Sequence, residues 1–202
     1  MASPDLHFRE ARPQDARAVA LLHAESWQRH YRGAYSDAFL DKEAPEYLER
    51  RWTQRLAAPE PQAVTLLAES EGVVSGLVHT VLDDDPVWGA FVDNLHVRYA
   101  VKRQRIGSRL LTLSAQTVRS RSSAWGLHLW VLEQNIAAQA FYSARGGSSV
   151  ERKPVPPPGG DPARLDGKPY GLRFAWIDAP PCACGARHSW EVACTSPDVI
   201  EG

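Results

Sequence analysis

A chain of 202 residues with 23 basic and 24 acidic side chains has a formal net charge of −1, which argues against the dense positive surface of a general nucleic-acid binder. Its 44% apolar share is ordinary for a globular protein long enough to bury one substantial core. No apolar run approaches a membrane span, and the start Met-Ala-Ser-Pro-Asp lacks the basic and apolar regions of a secretory signal, so a cytoplasmic protein is expected.

In chain order, Leu6-His-Phe-Arg9 alternates as a short first strand, and Pro13-Gln-Asp15 opens a helix with Val19, Leu21, Leu22 and Trp27 as expected core contacts. Trp27, His30, Tyr31 and Tyr35 cluster near its end, around Gly33. Residues 45–56 form a second helix, in which Leu48, Trp52 and Leu56 recur every four residues. Residues 64–69 and 73–82 read as a hairpin turning at Glu71-Gly72, and Asp83-Asp-Asp-Pro86 as the turn into a fourth strand over 88–97. Strand alternation places Leu95 and Val97 on one face of that strand and sets Asp93 and His96 on opposite faces. A helix over 107–121 follows, with Ile106, Leu110, Leu111, Ser114, Thr117 and Val118 on its inner face. Residues 127–132 make a fifth strand, and Asn135 is suited to cap a short helix that Gly146-Gly147 ends. A sixth strand spans 148–152, a Pro-rich loop 154–169 and a last strand 170–177.

Chemistry concentrates between the fourth strand and the helix after it. Lys102, Arg103, Gln104 and Arg105 immediately precede Ile106-Gly107-Ser108. A helix N-terminus offers unpaired amide donors and the positive end of the macrodipole. With three cations beside it, this turn is suited to a phosphate or pyrophosphate. The bland alternative is a basic turn on a solvated surface.

Two stretches together resemble the GNAT superfamily of acetyl-CoA-dependent N-acetyltransferases. The run Lys102-Arg-Gln-Arg105-Ile-Gly107 is similar to that family's pyrophosphate motif, with Lys102 standing where Arg or Gln is usual and Arg105 where the first Gly is usual. Asn135, Ala138, Phe141 and Tyr142 are similar to its second element, an Asn, two residues, an Ala, two residues and Phe-Tyr. The resemblance implies an α/β fold over residues 1–179, with a mixed, mostly antiparallel central sheet of about seven strands flanked by helices. It also implies that strands four and five splay apart around the pantetheine of acetyl-CoA.

On this resemblance, the backbone of Leu95, His96 and Val97 would meet the pantetheine amides, and residues 102–108 would hold the diphosphate. Asn135, Ala138 and Phe141 would complete the coenzyme site. Tyr142 is the expected general acid, Asp93 the candidate base, and Trp27, Tyr31 and Tyr35 the acceptor pocket. With no Cys in the main domain, the acetyl group would pass directly to a primary amine of a small molecule or peptide. No nucleic acid or membrane partner is expected, and a homodimer is left open. Three alternatives stand beside this reading: a packing role for Tyr142, a domain that binds acyl-CoA without turnover, and nucleotide binding through the basic turn. The last is weaker, because the turn lacks the Gly-rich loop ending in Lys-Ser/Thr.

Residues 180–202 lie outside the resemblance and form a tail holding Cys182, Cys184, His188 and Cys194. Three Cys and a His can bind zinc, but the one-residue gap between the first two is tighter than usual, so no metal is expected.

Overall fold

The computed structural model describes residues 6–101, 103–122 and 126–177. Seven strands, β1 (Leu6–Glu10), β2 (Ala63–Ser70), β3 (Val73–Asp85), β4 (Gly89–Val97), β5 (Leu127–Leu132), β6 (Ser148–Pro154) and β7 (Tyr170–Trp176), form one sheet. Its order is β1-β2-β3-β4-β5-β7-β6, and every neighbouring pair is antiparallel except β4 and β5. Four helices flank it: α1 (Ala16–His30), α2 (Ala44–Ala57), α3 (Ile106–Arg121) and α4 (Ile136–Ser143). This is the mixed, mostly antiparallel α/β sheet that the sequence led us to expect.

Both faces of the sheet are covered because both helix pairs carry an apolar stripe. Leu48, Trp52 and Leu56 on α2 join Val19, Leu22 and Trp27 of α1 over Leu67 and Leu77. Ile106, Leu110, Leu111 and Val118 of α3 pack on the opposite face against Val78, Ala90, Val92 and Leu129. Ser114 falls on this apolar stripe and satisfies its hydroxyl by a 2.7 Å hydrogen bond with Thr80. At the start of α1, Arg9 donates to both carboxylate oxygens of Asp15 (2.7 and 2.9 Å) and also holds Glu69, tying β1 to the helix entry and to β2.

Several sequence expectations shift. Leu21 is 55% exposed, because the stripe of α1 passes through its neighbours Ala20 and Leu22 instead. The stretch over Asp83-Asp84-Asp85 is the end of β3 rather than a turn, with Asp85 registered against Gly89. A π-helical turn, Phe39–Glu43, leads into α2 and has no counterpart in the periodicity. The loop 154–169 carries two short 3-10 turns, Pro158–Gly160 and Pro162–Arg164.

The largest correction concerns β4. Its register against β3 slips between His79↔Asn94 and Thr80↔Val92, so Asp93 is an extra residue bulged out of the ladder. A bulge reverses the alternation beyond it. Asp93 therefore shares the α1/α2 face with His96, although simple alternation puts them on opposite faces. Leu95 and Val97 remain together on the α3 face.

Candidate functional site

The parallel pair β4–β5 is short. Only Ala90↔Leu127 and Phe91↔His128 are paired, after which the two strands diverge, while β5 stays paired with β7 along its length. At the base of the divergence Gly89 (φ 78°) and Gly126 (φ 141°) pass so closely that an added Cβ on Gly89 would lie 2.4 Å from the Gly126 carbonyl oxygen. Above that point β4 from Val92 to Val97 is held by β3 on one edge alone. The splay therefore opens a slot lined by strand backbone, with Leu95, His96 and Val97 along one wall.

One end of the slot leads to the basic turn. A 3-10 turn, Tyr99–Val101, follows β4, and Arg103 (φ 69°) and Arg105 (φ 59°) then take left-handed conformations. Such dihedrals cost a non-Gly residue roughly 1–2 kcal/mol each. Arg105 thus adopts the backbone that a Gly would take freely, and it directly precedes Ile106, the first residue of α3. Arg103, Gln104 and Arg105 are exposed around the helix N-terminus; Lys102 lies outside the described residues. Ser108, in the first turn of α3, accepts hydrogen bonds from Arg145 Nε (2.9 Å) and Nη2 (2.5 Å). Arg145 in turn stacks 3.7 Å over the Phe141 ring, so another guanidinium reaches this helix end.

Gly107 serves packing. A Cβ there would meet Phe141 at 3.4 Å and Val97 at 3.5 Å, which is ordinary contact, so its space is set by protein side chains. Gly107→Ala is accordingly expected to fold. For the turn, changing Arg103 and Arg105 together to Ala is expected to raise the dissociation constant for acetyl-CoA at least tenfold. Each charged hydrogen bond lost is worth about 1.5–3 kcal/mol, and the melting temperature should stay close to parental because the backbone strain is unchanged. An unaltered calorimetric affinity would show that the turn is only surface.

The helix beyond β5 is capped as its sequence implies. The Asn135 side chain accepts from the Ala138 amide at 3.2 Å, and Ala138 and Phe141 pack onto the α3-side core. Tyr142 is 8% exposed, with its ring against Phe141, Phe174 and Trp176 (centroids 5.3, 5.8 and 6.0 Å). Burial pushes its hydroxyl well above the ordinary phenol value, and the nearby Tyr31 adds to the shift. A group so placed keeps its proton.

The other face of the slot opens into a cavity of about 500 Å³ beneath α1 and α2. Trp27, Tyr31 and Tyr35 all line it, in edge and tilted contacts 5.0–5.6 Å apart. Burial, then Asp93, raises the Tyr31 hydroxyl to about 12. Asp93 also faces the cavity. Arg55 forms an ion pair with its Oδ2 at 2.9 Å and Asn94 donates to the same oxygen at 2.7 Å, leaving Oδ1 without a partner among the described residues. The two faces meet through Tyr31, near enough to Asp93 on one side and to Tyr142 on the other for each to act on its neighbour's charge.

Sequence reasoning missed His23 and the arginines around this cavity. His23 is buried, receives the Trp52 indole N–H on Nδ1 at 3.1 Å, and packs 4.3 Å from the His96 ring. That bond leaves its proton on Nε2, which has no partner among the described residues. His96 Nδ1 is bonded with the Ser26 hydroxyl at 2.9 Å, and burial lowers its pKa from 6.5 to about 4. The folded state thus keeps His96 neutral, whereas the unfolded chain binds a proton below pH about 6.5. Stability is therefore complete above pH 6.5 and falls as pH drops towards 4, by up to about 1.4 kcal/mol per unit for one such group. His96→Gln should lose less stability than the parent between pH 7 and pH 5 in urea titrations, and equal losses would place the acid sensitivity elsewhere. A signal for the arginines was present. Tyr47, Arg51 and Arg55 recur every four residues beside the Leu48, Trp52 and Leu56 stripe of α2.

Among the described residues, no group of three His, Cys, Asp or Glu side chains is placed to hold a metal ion. No helix of the described residues is long and apolar enough to cross a membrane. The cysteine tail lies outside them.

Comparison with known proteins places this geometry. A family model described as "Acetyltransferase (GNAT) family" matches residues 24–146, which run from within α1 to just past α4 and include both motifs. A search of curated protein sequences gives no match. Among solved structures, the PaiA N-acetyltransferase of Thermoplasma acidophilum in complex with coenzyme A superposes with a TM-score of 0.66 at 16% identity, over 85% of this chain and 99% of that one. A GCN5-related N-acetyltransferase from Rhodopseudomonas palustris gives 0.63 at 20% identity, over 88% and 97%. NAA60 of Arabidopsis thaliana, in complex with a bisubstrate analogue, gives 0.57 at 16%, over 85% and 97%. At these identities the structures speak for the fold, and the family match speaks for descent. With the splayed strands, the turn before α3 and the Asn-capped helix all inside the matched span, the chain belongs to the GNAT acetyltransferase family.

Proposed function

We propose that this protein is an acetyl-CoA-dependent N-acetyltransferase that passes the acetyl group directly to a primary amine. The observation that carries the reading is the slot between β4 and β5. It runs from a cationic helix N-terminus to a cavity holding a carboxylate oxygen with no partner among the described residues. Arg103, Gln104, Arg105 and the amides of Ile106, Gly107 and Ser108, with Lys102, are assigned to the diphosphate. The free edge of β4 over Leu95, His96 and Val97 is assigned to the pantetheine amides, with Asn135, Ala138 and Phe141 on the far wall. The coenzyme-bound and bisubstrate-bound neighbours agree with a site of two substrates meeting at one slot. Residues 1–179 are assigned to this domain, and 180–202 to a tail outside its chemistry.

In this mechanism Asp93 Oδ1 takes a proton from the acceptor ammonium, directly or through water, and the free amine attacks the thioester carbonyl carbon. The C–N bond forms as the C–S bond breaks, the Tyr142 hydroxyl gives its proton to the departing thiolate, and the proton left on the new amide nitrogen passes through water to the Tyr142 phenolate, restoring the phenol. The Tyr31 phenol, which lines the cavity together with Asp93, is assigned to orient the amine. Arg55 on Asp93 supports a second reading, since the carboxylate already has a cationic partner: a domain that binds acyl-CoA without turnover. Release of free thiol from acetyl-CoA, followed over a panel of amines, decides between them. Amine-dependent release is the expected result, and coenzyme binding with no release from any amine would favour the second reading.

A further inference from the structure

The cavity's charges are unevenly matched. It is lined by four permanent cations, Arg51, Arg55, Lys153 and Arg173, and by three carboxylates, Asp84, Asp85 and Asp93. Arg55 is taken by Asp93 (2.9 Å), while Arg173 is taken by Asp85 (3.2 Å) and by Glu151 (2.8 Å). Asp84 stands at the β3–β4 end, 3.6 Å from His128, whose own charge is disfavoured by burial. That leaves Arg51 and Lys153 without a carboxylate among the described residues, and Lys153 is spent over the Trp130 ring at 3.8 Å.

Arg51 is exposed and lines the cavity from its solvent side. It donates one Nη1 bond to the buried Tyr47 hydroxyl at 2.9 Å, and its charge bears on His23, His79 and Tyr35, all interior groups. The tether to Tyr47 fixes the guanidinium, and its remaining N–H donors have no hydrogen-bond partner among the described residues. It lies one helical turn, about 6 Å, from Arg55, the residue that holds Asp93. A ligand entering beneath α1 and α2 therefore meets a carboxylate oxygen and an open guanidinium a few bonds apart.

Resting on the acetyltransferase reading above, we infer that the acceptor is an amine carrying an oxyanion, a carboxylate or a phosphate, within a few bonds of its nitrogen. Its ammonium faces Asp93 and its anionic group faces Arg51. The oxyanion gives Arg51 the partner it lacks, and the aromatic walls from Trp27, Tyr35 and Trp52 take the acceptor's carbon body. A polyamine or aminoglycoside would bring further positive charge against Arg51.

The test compares matched amines in the thiol-release assay at saturating acetyl-CoA, using the full chain: phenylalanine against phenethylamine, O-phosphoethanolamine against ethanolamine, and spermidine as the polycation. The anionic member of at least one pair should exceed its neutral-bodied counterpart in kcat/KM by about ten- to hundred-fold, the worth of a charged hydrogen bond. The pair that shows the ratio identifies the anion. Arg51→Ala should bring that ratio towards one through KM, and Arg51→Lys should restore part of it, with both variants melting like the parent. Preference for spermidine or for the uncharged-tail amines overturns the inference while leaving the transferase reading standing. So does an undiminished ratio in a folded Arg51→Ala. Acetyl-CoA binding without thiol release from any of the five amines would count against both.

Discussion

Tyr142→Phe is expected to lower kcat by about 10²–10⁴-fold, the usual worth of a positioned general acid, with acetyl-CoA affinity close to parental. The substitution keeps a ring that packs against Phe141, Phe174 and Trp176 and removes only the hydroxyl. That hydroxyl helps only as negative charge develops on sulfur, so its loss falls on the transition state and not on the bound coenzyme. Burial raises the phenol well above its ordinary value, so it stays protonated to high pH and adds no alkaline limb to the rate profile. An acetyl donor with a more acidic thiol should suffer less from the change. Near-parental turnover by the variant would remove Tyr142 from the mechanism and hand the proton to water or another side chain.

The second large effect is expected at the base of the slot. Gly89→Ala places a Cβ 2.4 Å from the Gly126 carbonyl oxygen, the same oxygen that accepts the Ala90 amide at 3.0 Å. The neighbour is backbone and has no rotamer to turn away. Overpacking of this kind costs about 1–3 kcal/mol. The left-handed backbone at Gly89 (φ 78°) adds about 1–2 kcal/mol for a residue with a Cβ. Together a loss of roughly 2–5 kcal/mol is expected in chemical denaturation, and coenzyme affinity should fall as well, because this contact fixes where β4 and β5 part. A variant as stable as the parent, with parental affinity, would mean that the strands can separate further without altering the slot.

Much of this was legible in the sequence, and what escaped has definable physical causes. The strands and helices followed from periodicity, since Leu48, Trp52 and Leu56 or Ile106, Leu110 and Val118 bury one stripe each. The Asn135 cap was legible because capping is local chemistry. The bulge at Asp93 was not, because one extra residue in a ladder leaves no trace in composition, and it moved Asp93 onto the face of His96. Leu21 was misplaced because α1 carries apolar residues on more than one face, and only packing decides between them. His23, Arg51 and Arg55 reach the cavity across long sequence separations, as in the pair of Arg55 with Asp93. Arg105 stood out as a departure from the expected Gly. The structure keeps the Gly-like backbone (φ 59°) with an Arg side chain, so the turn retains its shape and gains a cation.

The central claim is that acetyl-CoA lies in the slot between β4 and β5, and a crystal structure of the full chain with acetyl-CoA tests it most directly. The account predicts the diphosphate within hydrogen-bond distance of the turn from Arg103 to Ser108. It also predicts the pantetheine amides on the β4 edge at Leu95, His96 and Val97, and the thioester sulfur within reach of the Tyr142 hydroxyl. A coenzyme bound elsewhere, or one whose sulfur points away from both Tyr142 and the cavity of Asp93, would contradict it.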